Sequence, residues 1–224
     1  MKMKPYQLAS DFTDGQPVRK LRKGRRGTHI VHLPSIKNER VVVCESRLEA
    51  DFALWLEFDP DIESYVPQPE TFEIFVDGYL RRYTPDFLTI ARSGARKYWE
   101  VKPDGVVENG ELMRLFEAVR IFARQRDTSF DLVKSEWIRR EPFLSNMKQL
   151  YSKAHVVSPG SIEFMRQTFE ENHGALTYGK LRALPGPPSF AALARMVVSN
   201  RISFDFREPL GLDTSLTLGG GRHV

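Results

Sequence analysis

The dipeptide Asp77-Gly78 stands between Thr71-Phe-Glu-Ile-Phe-Val76 and Tyr79-Leu-Arg-Arg-Tyr-Thr84, two runs of strand-forming residues. A two-residue link of this type favours the primed turns whose twist matches that of paired strands, which commits the segment to an antiparallel hairpin. The second run is expected to continue through Asp86 to Ile90, where Ser93-Gly94 breaks it. Lys97 to Val101 then supplies a third strand that Pro103 stops, and the three form a small antiparallel meander.

That meander carries chemistry. Side chains alternate along a strand, so Glu100 and Lys102 project to one side while Trp99 and Val101 face the other. With Asp86 on the adjacent strand and the same face, two carboxylates can share a divalent ion beside the Lys102 ammonium. Such a constellation suits phosphodiester hydrolysis: the metal neutralises charge and acidifies a bound water, and the lysine positions or polarises the nucleophile. Every candidate ligand is a hard oxygen, which selects Mg²⁺, with Mn²⁺ as its substitute. The alternative is a solvated polar sheet face with a cross-strand ion pair worth at most about 1 kcal/mol.

A third acid lies in Ser46-Arg-Leu-Glu49, at the head of a run in which Leu48, Phe52, Trp55 and Leu56 follow helical spacing until Asp59-Pro60. Ser46 and Glu49 form a capping box, so Glu49 either returns a hydrogen bond to the helix start or joins the two strand acids.

In order and spacing, Ser46-Arg-Leu-Glu49, Tyr65-Val-Pro-Gln-Pro-Glu-Thr-Phe72, Tyr83-Thr-Pro-Asp86-Phe and Trp99-Glu100-Val-Lys102 resemble the catalytic domain of TnsA-type transposon endonucleases, a branch of the PD-(D/E)xK restriction-nuclease-like fold. The resemblance spans roughly residues 40–135. It implies that Glu49, Asp86 and Glu100 hold the metal, as a pair of ions, with the backbone carbonyl of Val101, and that Lys102 is the catalytic lysine. Gln68 falls where related nucleases place a supporting glutamine. Glu100 stands where some members carry glutamine, a difference that bears on metal affinity and not on reaction type. The implied activity is hydrolysis of the 5′, non-transferred strand of double-stranded DNA at transposon ends. The implied partners are a DDE-type transposase and an AAA+ ATPase regulator. The same residues also fit a restriction- or repair-type nuclease, or a non-catalytic DNA-binding or bridging protein.

The 224 residues suffice for one or two domains, and 41% hydrophobic with 28% charged residues is a globular composition. No apolar run reaches membrane-spanning length and Met1-Lys-Met-Lys-Pro5 lacks a secretory apolar stretch, so a soluble, cytoplasmic protein without membrane partners is expected, and the TnsA-type resemblance implies a bacterial one that is nucleoid-associated when acting. Cys44, the only cysteine, excludes an internal disulfide and a cysteine-based zinc site, and its Val-Val-Val-Cys setting suggests a buried strand. His29 and His32 are spaced to opposite faces of a strand. The formal charge of +4 is concentrated in Arg19, Lys20, Arg22, Lys23, Arg25 and Arg26, which read either as a solvated arm or as a DNA-phosphate contact.

Beyond the meander, Leu112, Leu115, Phe116, Val119 and Phe122 predict a helix that covers the sheet. Its Arg114, Arg120 and Arg124 either line a DNA side or are solvated. Phe130 to Val133 reads as a strand and Pro142 to Tyr151 as a helix. The fold class is α/β, a restriction-endonuclease-like mixed sheet flanked by helices. Ser158-Pro-Gly160 marks a boundary between a nuclease domain over 1–157 and a second domain over 158–224. There, three helical segments over Ile162 to Glu171, Leu176 to Leu184 and Ser189 to Val198, a strand over Asn200 to Arg207 and a frayed tail from Leu218 describe a winged-helix-like unit. The TnsA-type resemblance, looser here, assigns this unit to docking of the ATPase regulator.

Overall fold

The computed structural model describes residues 29–106 and 110–219, so the basic run Arg19 to Arg26 lies outside the described residues. Its elements are β1 (Val31–Ser35), β2 (Arg40–Cys44), α1 (Arg47–Phe58), β3 (Ile62–Pro67), β4 (Phe72–Val76), β5 (Tyr79–Tyr83), β6 (Phe87–Ala91), β7 (Arg96–Lys102), α2 (Gly110–Arg124) and β8 (Thr128–Lys134). They are followed by α3 (Ser135–Ile138), α4 (Phe143–Tyr151), α5 (Pro159–Glu171), β9 (Ala175–Thr177), α6 (Tyr178–Ala183), α7 (Phe190–Val198), β10 (Ile202–Ser203) and β11 (Ser215–Leu218).

A four-stranded sheet of order β3-β6-β7-β8 is the scaffold. Its first pairings are antiparallel and β7-β8 is parallel, with α2 as the crossover that a parallel pair requires. This mixed sheet flanked by helices fits the restriction-endonuclease-like class. α1 covers one face, where Phe52 meets Phe87 and Trp99 with ring centroids 5.5 and 5.3 Å apart. α2 and the β4-β5 hairpin cover the other, with Phe72 stacked on Phe122 at 4.1 Å and Phe116 against Phe130.

The Asp77-Gly78 turn forms as expected, both residues having positive φ, and joins β4 to β5 in full register. The expected continuous strand through Asp86 does not form. β5 ends at Tyr83, β6 begins at Phe87, and the two lie in different sheets. Pro85 has no N–H to offer a ladder and Thr84-Pro85 lets the chain turn, so the meander becomes a hairpin set beside a sheet.

After Ser158 the order α5-β9-α6-α7-β10-β11 builds a small antiparallel sheet, β10-β11-β9. α7 is apolar almost all round and buried from Ala192 to Ala194 and Met196 to Val198, because it packs on α1 and α4 as well as on α5. Asn146 of α4 donates to the carbonyls of Phe206 (3.2 Å) and Glu208 (2.9 Å) and accepts from Leu210 N–H, and Phe58 of α1 meets Phe206 edge-on. One apolar core therefore runs from β2 and α1 through α4 into α7 and β11. The strand expected over Asn200 to Arg207 shrinks to Ile202–Ser203, although Phe204 and Phe206 are buried and stack at 4.3 Å. Leu218, expected in a frayed tail, ends β11 and donates to Gly174 O.

Candidate active site

Asp86 occupies the break before β6. Its N–H donates to Trp99 O (3.0 Å), its carbonyl accepts Gln68 N–H (2.8 Å), and its Oδ2 accepts Val101 N–H at 2.7 Å. Since Phe87 pairs with Trp99, the next position outward sets Asp86 beside Glu100. Strand alternation puts Trp99 and Val101 into the α1-side core and turns Glu100 and Lys102 to the hairpin side, as expected from their spacing. Glu100 is buried, accepts the Tyr83 hydroxyl on one oxygen and meets the Lys102 ammonium with the other.

The electrostatics are those of crowded negative charge. Burial, then the Glu100 and Glu49 carboxylates, holds the Asp86 carboxyl well above its usual range against the opposing pull of Lys102 and of the Val101 N–H. Burial alone would lower the Lys102 ammonium, but Glu100, Asp86 and Glu49 together raise it. Lys102 is therefore a cation at neutral pH, able to attract and orient an oxygen but not to act as a proton acceptor. Tyr83 is also raised, by burial first and Glu100 next, so its hydroxyl keeps its proton and stays a donor.

Glu49 closes the helix start in a variant of the capping box, its carboxylate taking the Ser46 hydroxyl and the N–H of Glu45, one residue before the cap, instead of the Ser46 N–H. Its Oε1 accepts the Ser46 hydroxyl (2.8 Å), its Oε2 accepts Glu45 N–H (2.8 Å), and Ser46 Oγ accepts Glu49 N–H (3.1 Å). Burial holds the Glu49 carboxyl above its usual range while those hydrogen bonds and Lys102 pull it down, and the Glu49 charge in turn helps to raise Asp86.

Gln68 follows the last residues of β3, is buried, and has positive φ. Its Oε1 is buried without a hydrogen-bond partner while its backbone holds Asp86. Such an orphaned acceptor costs free energy unless a water or cation meets it. Among the described residues, no group of three or more His, Cys, Asp or Glu side chains is gathered closely enough to hold a metal ion as it stands. The donor set of Asp86, Glu100 and an orphaned amide oxygen nonetheless fits Mg²⁺, which keeps most of its waters and takes one or two carboxylates.

Sequence reasoning missed Tyr83, whose role rests on a side-chain contact across two sheets. It also passed over Glu57, a buried carboxylate that accepts from Ile36 N–H (3.1 Å), Lys37 N–H (3.0 Å), the Tyr65 hydroxyl (2.6 Å) and the Ser35 hydroxyl. These donors tie the β1-β2 turn to α1 and leave Glu57 no role as a ligand. Of the α2 arginines, Arg114 pairs with Asp77 and Arg120 with Glu117.

Over residues 59–135 the chain matches the family model for the N-terminal domain of TnsA-like endonucleases. The matched stretch contains Gln68, Asp86, Glu100 and Lys102 but not Glu49, and supports a TnsA-type nuclease. No curated protein matches the chain. No helix among the described residues is long and apolar enough to cross a membrane.

Proposed function

We propose, from a TnsA-like segment that sets Asp86, just before β6, beside Glu100 and Lys102 of β7, that this chain is the endonuclease subunit of a Tn7-like transposition machinery. It hydrolyses the 5′, non-transferred strand at transposon ends, beside a DDE-type transposase that cuts the other strand. The observation that carries this reading is the juxtaposition of Asp86 with the Glu100-Lys102 pair inside that segment.

Asp86 and Glu100 would hold Mg²⁺ or Mn²⁺, with the Val101 carbonyl and Gln68 beside them and Glu49 available to a second ion. The bound ion supplies charge neutralisation at the phosphate and an acidified water. Lys102, kept protonated by its acidic neighbours, holds the attacking oxygen and balances charge on the non-bridging oxygens. Tyr83 fixes the Glu100 carboxylate through its hydroxyl. The Val101 N–H fixes that of Asp86.

The helix and strand order after Ser158 supports a winged-helix-like module, and the TnsA-type resemblance assigns that module to docking of the AAA+ ATPase regulator. The basic run Arg19 to Arg26 is assigned to DNA phosphates. Alanine at Arg22, Lys23, Arg25 and Arg26 should then flatten the slope of log affinity against log salt, by about one per lost phosphate contact.

The test is strand-specific nicking of end-labelled transposon-end DNA with Mg²⁺ and the transposase, for the parent and for Asp86→Ala, Glu100→Ala and Lys102→Ala. Loss of the 5′-strand cut in all three, with DNA binding retained, is expected. Parental cutting by the variants overturns the site. Efficient cutting without any transposase assigns the chain to restriction- or repair-type nucleases instead.

A further inference from the structure

The central sheet ends in two unlike edges. β3 is blunted by a register irregularity between Ile62 and Ser64 and by Pro67, devices that keep an edge from pairing with another chain. β8 has neither. It pairs with β7 over an unbroken run from Arg96↔Thr128 to Lys102↔Lys134, and no strand among the described residues lies on its outer side.

A groove of about 710 Å³ follows that edge. Asp131 and Val133 line it from one face of β8 and Leu132 and Lys134 from the other, so it follows the open row of peptide groups and not a sheet face. Trp99 and Trp137 form its apolar walls, and Trp137 is 41% exposed.

At the end of the groove the Arg140 guanidinium is held against Trp55, Trp137 and Phe143, 4.3–4.5 Å from each ring centre. Among the described residues its side chain makes no hydrogen bond or ion pair, and Nε is buried without an acceptor. Asp131 is already paired with Lys97, which leaves Lys134 and Arg140 against one acid, Glu136, on the rim. The surface thus offers strand amides that no described residue pairs, an apolar slot and a preorganised cation.

We propose that the outer edge of β8 receives an extended segment of a partner protein as a fifth strand, with an apolar side chain between Trp99 and Trp137 and a carboxylate on Arg140. Backbone hydrogen bonds supply the attachment and the two side chains the selectivity, as in strand addition generally. The apolar lining favours a peptide over a nucleic-acid strand, which would need a cationic groove along its whole length. The site does not depend on nuclease activity.

The test is selection of a phage-displayed library of random 12-residue peptides on the full-length protein. Enriched peptides should carry an acidic residue next to a large apolar one and slow hydrogen exchange of the amides from Ser129 to Lys134 by at least tenfold. Methylation of alternate peptide nitrogens should abolish binding, a control that leaves the protein untouched. Arg140→Gln and Lys134→Glu should each weaken it at least fivefold; the second lies on the surface and keeps the test open if the first misfolds. Failure to enrich such peptides, equal binding of the methylated forms, or protection elsewhere overturns the proposal. So does β8 protection by a single-stranded oligonucleotide, or by raising protein concentration alone, the latter marking the edge as a contact between copies.

Discussion

Asp86 shows most plainly how one residue can be shaped against stability. Its carboxyl is raised by burial, Glu100 and Glu49, so the folded state binds its proton more tightly than the unfolded chain does. The stability contributed by that proton is complete below the unfolded carboxyl range, about pH 4, and is lost as pH climbs through the higher folded value. At pH 7.5, where the unfolded chain releases this proton freely, the buried carboxyl is a net cost in the metal-free protein. Asp86→Asn keeps an acceptor for Val101 N–H while removing the charge. In chelator at pH 7.5 it should melt above the parent, and the gap should close on acidification toward pH 4. In Mg²⁺ its cleavage should fall ~100-fold or more, on the order of 2.7 kcal/mol of barrier. A variant that melts below the parent at pH 7.5 would show the crowded carboxylates to be stabilising after all.

Glu49 separates its two roles in a similar way. Glutamine retains one acceptor for the capping box, so Glu49→Gln should cost about 1 kcal/mol or less of stability. As a ligand it should lower cleavage by more than ~10-fold, and thermal melts read beside nicking rates tell the roles apart. Parental cleavage would leave Glu49 with the cap alone.

At the scale of elements, local chemistry explains most of what forms. Ser46, Ser158, Thr177 and Ser189 each cap a helix with a side-chain oxygen, and Asp77-Gly78 turns the hairpin. One position depends instead on close approach between elements. Gly179 of α6 donates its N–H to Leu212 O at 2.7 Å, and a Cβ there would meet the same oxygen at 2.8 Å. Backbone oxygen in a loop that also pairs Thr214 O with Tyr178 N–H cannot move without breaking that contact. Gly179→Ala should therefore destabilise the protein by about 1–3 kcal/mol, the range for overpacking. Urea denaturation with an unchanged midpoint would mean that the loop yields freely.

The whole molecule is joined through α7. Because α1, α4 and the segment after Ser158 share a core, deleting residues 158–219 would uncover Phe58, Leu144, Met147 and Tyr151 together. The truncated chain should bind hydrophobic dye, lose dispersed NMR resonances and melt without a cooperative transition, whereas the intact protein should unfold in one. Two resolved transitions by calorimetry would instead show that the parts fold apart. It follows that partner docking on the C-terminal unit is better probed with surface substitutions than by truncation, since loss of function in the truncated form would report unfolding.

Residue order alone determined the hairpin, the helix caps, the buried Cys44 strand and the shared face of Glu100 and Lys102, because each depends on turn type, spacing or alternation within a few neighbouring residues. It could not reveal that Pro85 would send β5 and β6 into different sheets, nor that Tyr83 would then reach Glu100. Phe204 and Phe206 are buried though they lie outside a strand, since Phe206 packs against Phe58 of α1 and Phe143 of α4 and Phe204 stacks on Phe206, and no ladder of their own shields them. The same holds for α7, whose apolar circumference is legible as burial but not as burial against the N-terminal part of the chain. Those outcomes depend on contacts between residues far apart in sequence, where chain closure, steric fit and shared burial decide together, and only the tertiary structure contains them.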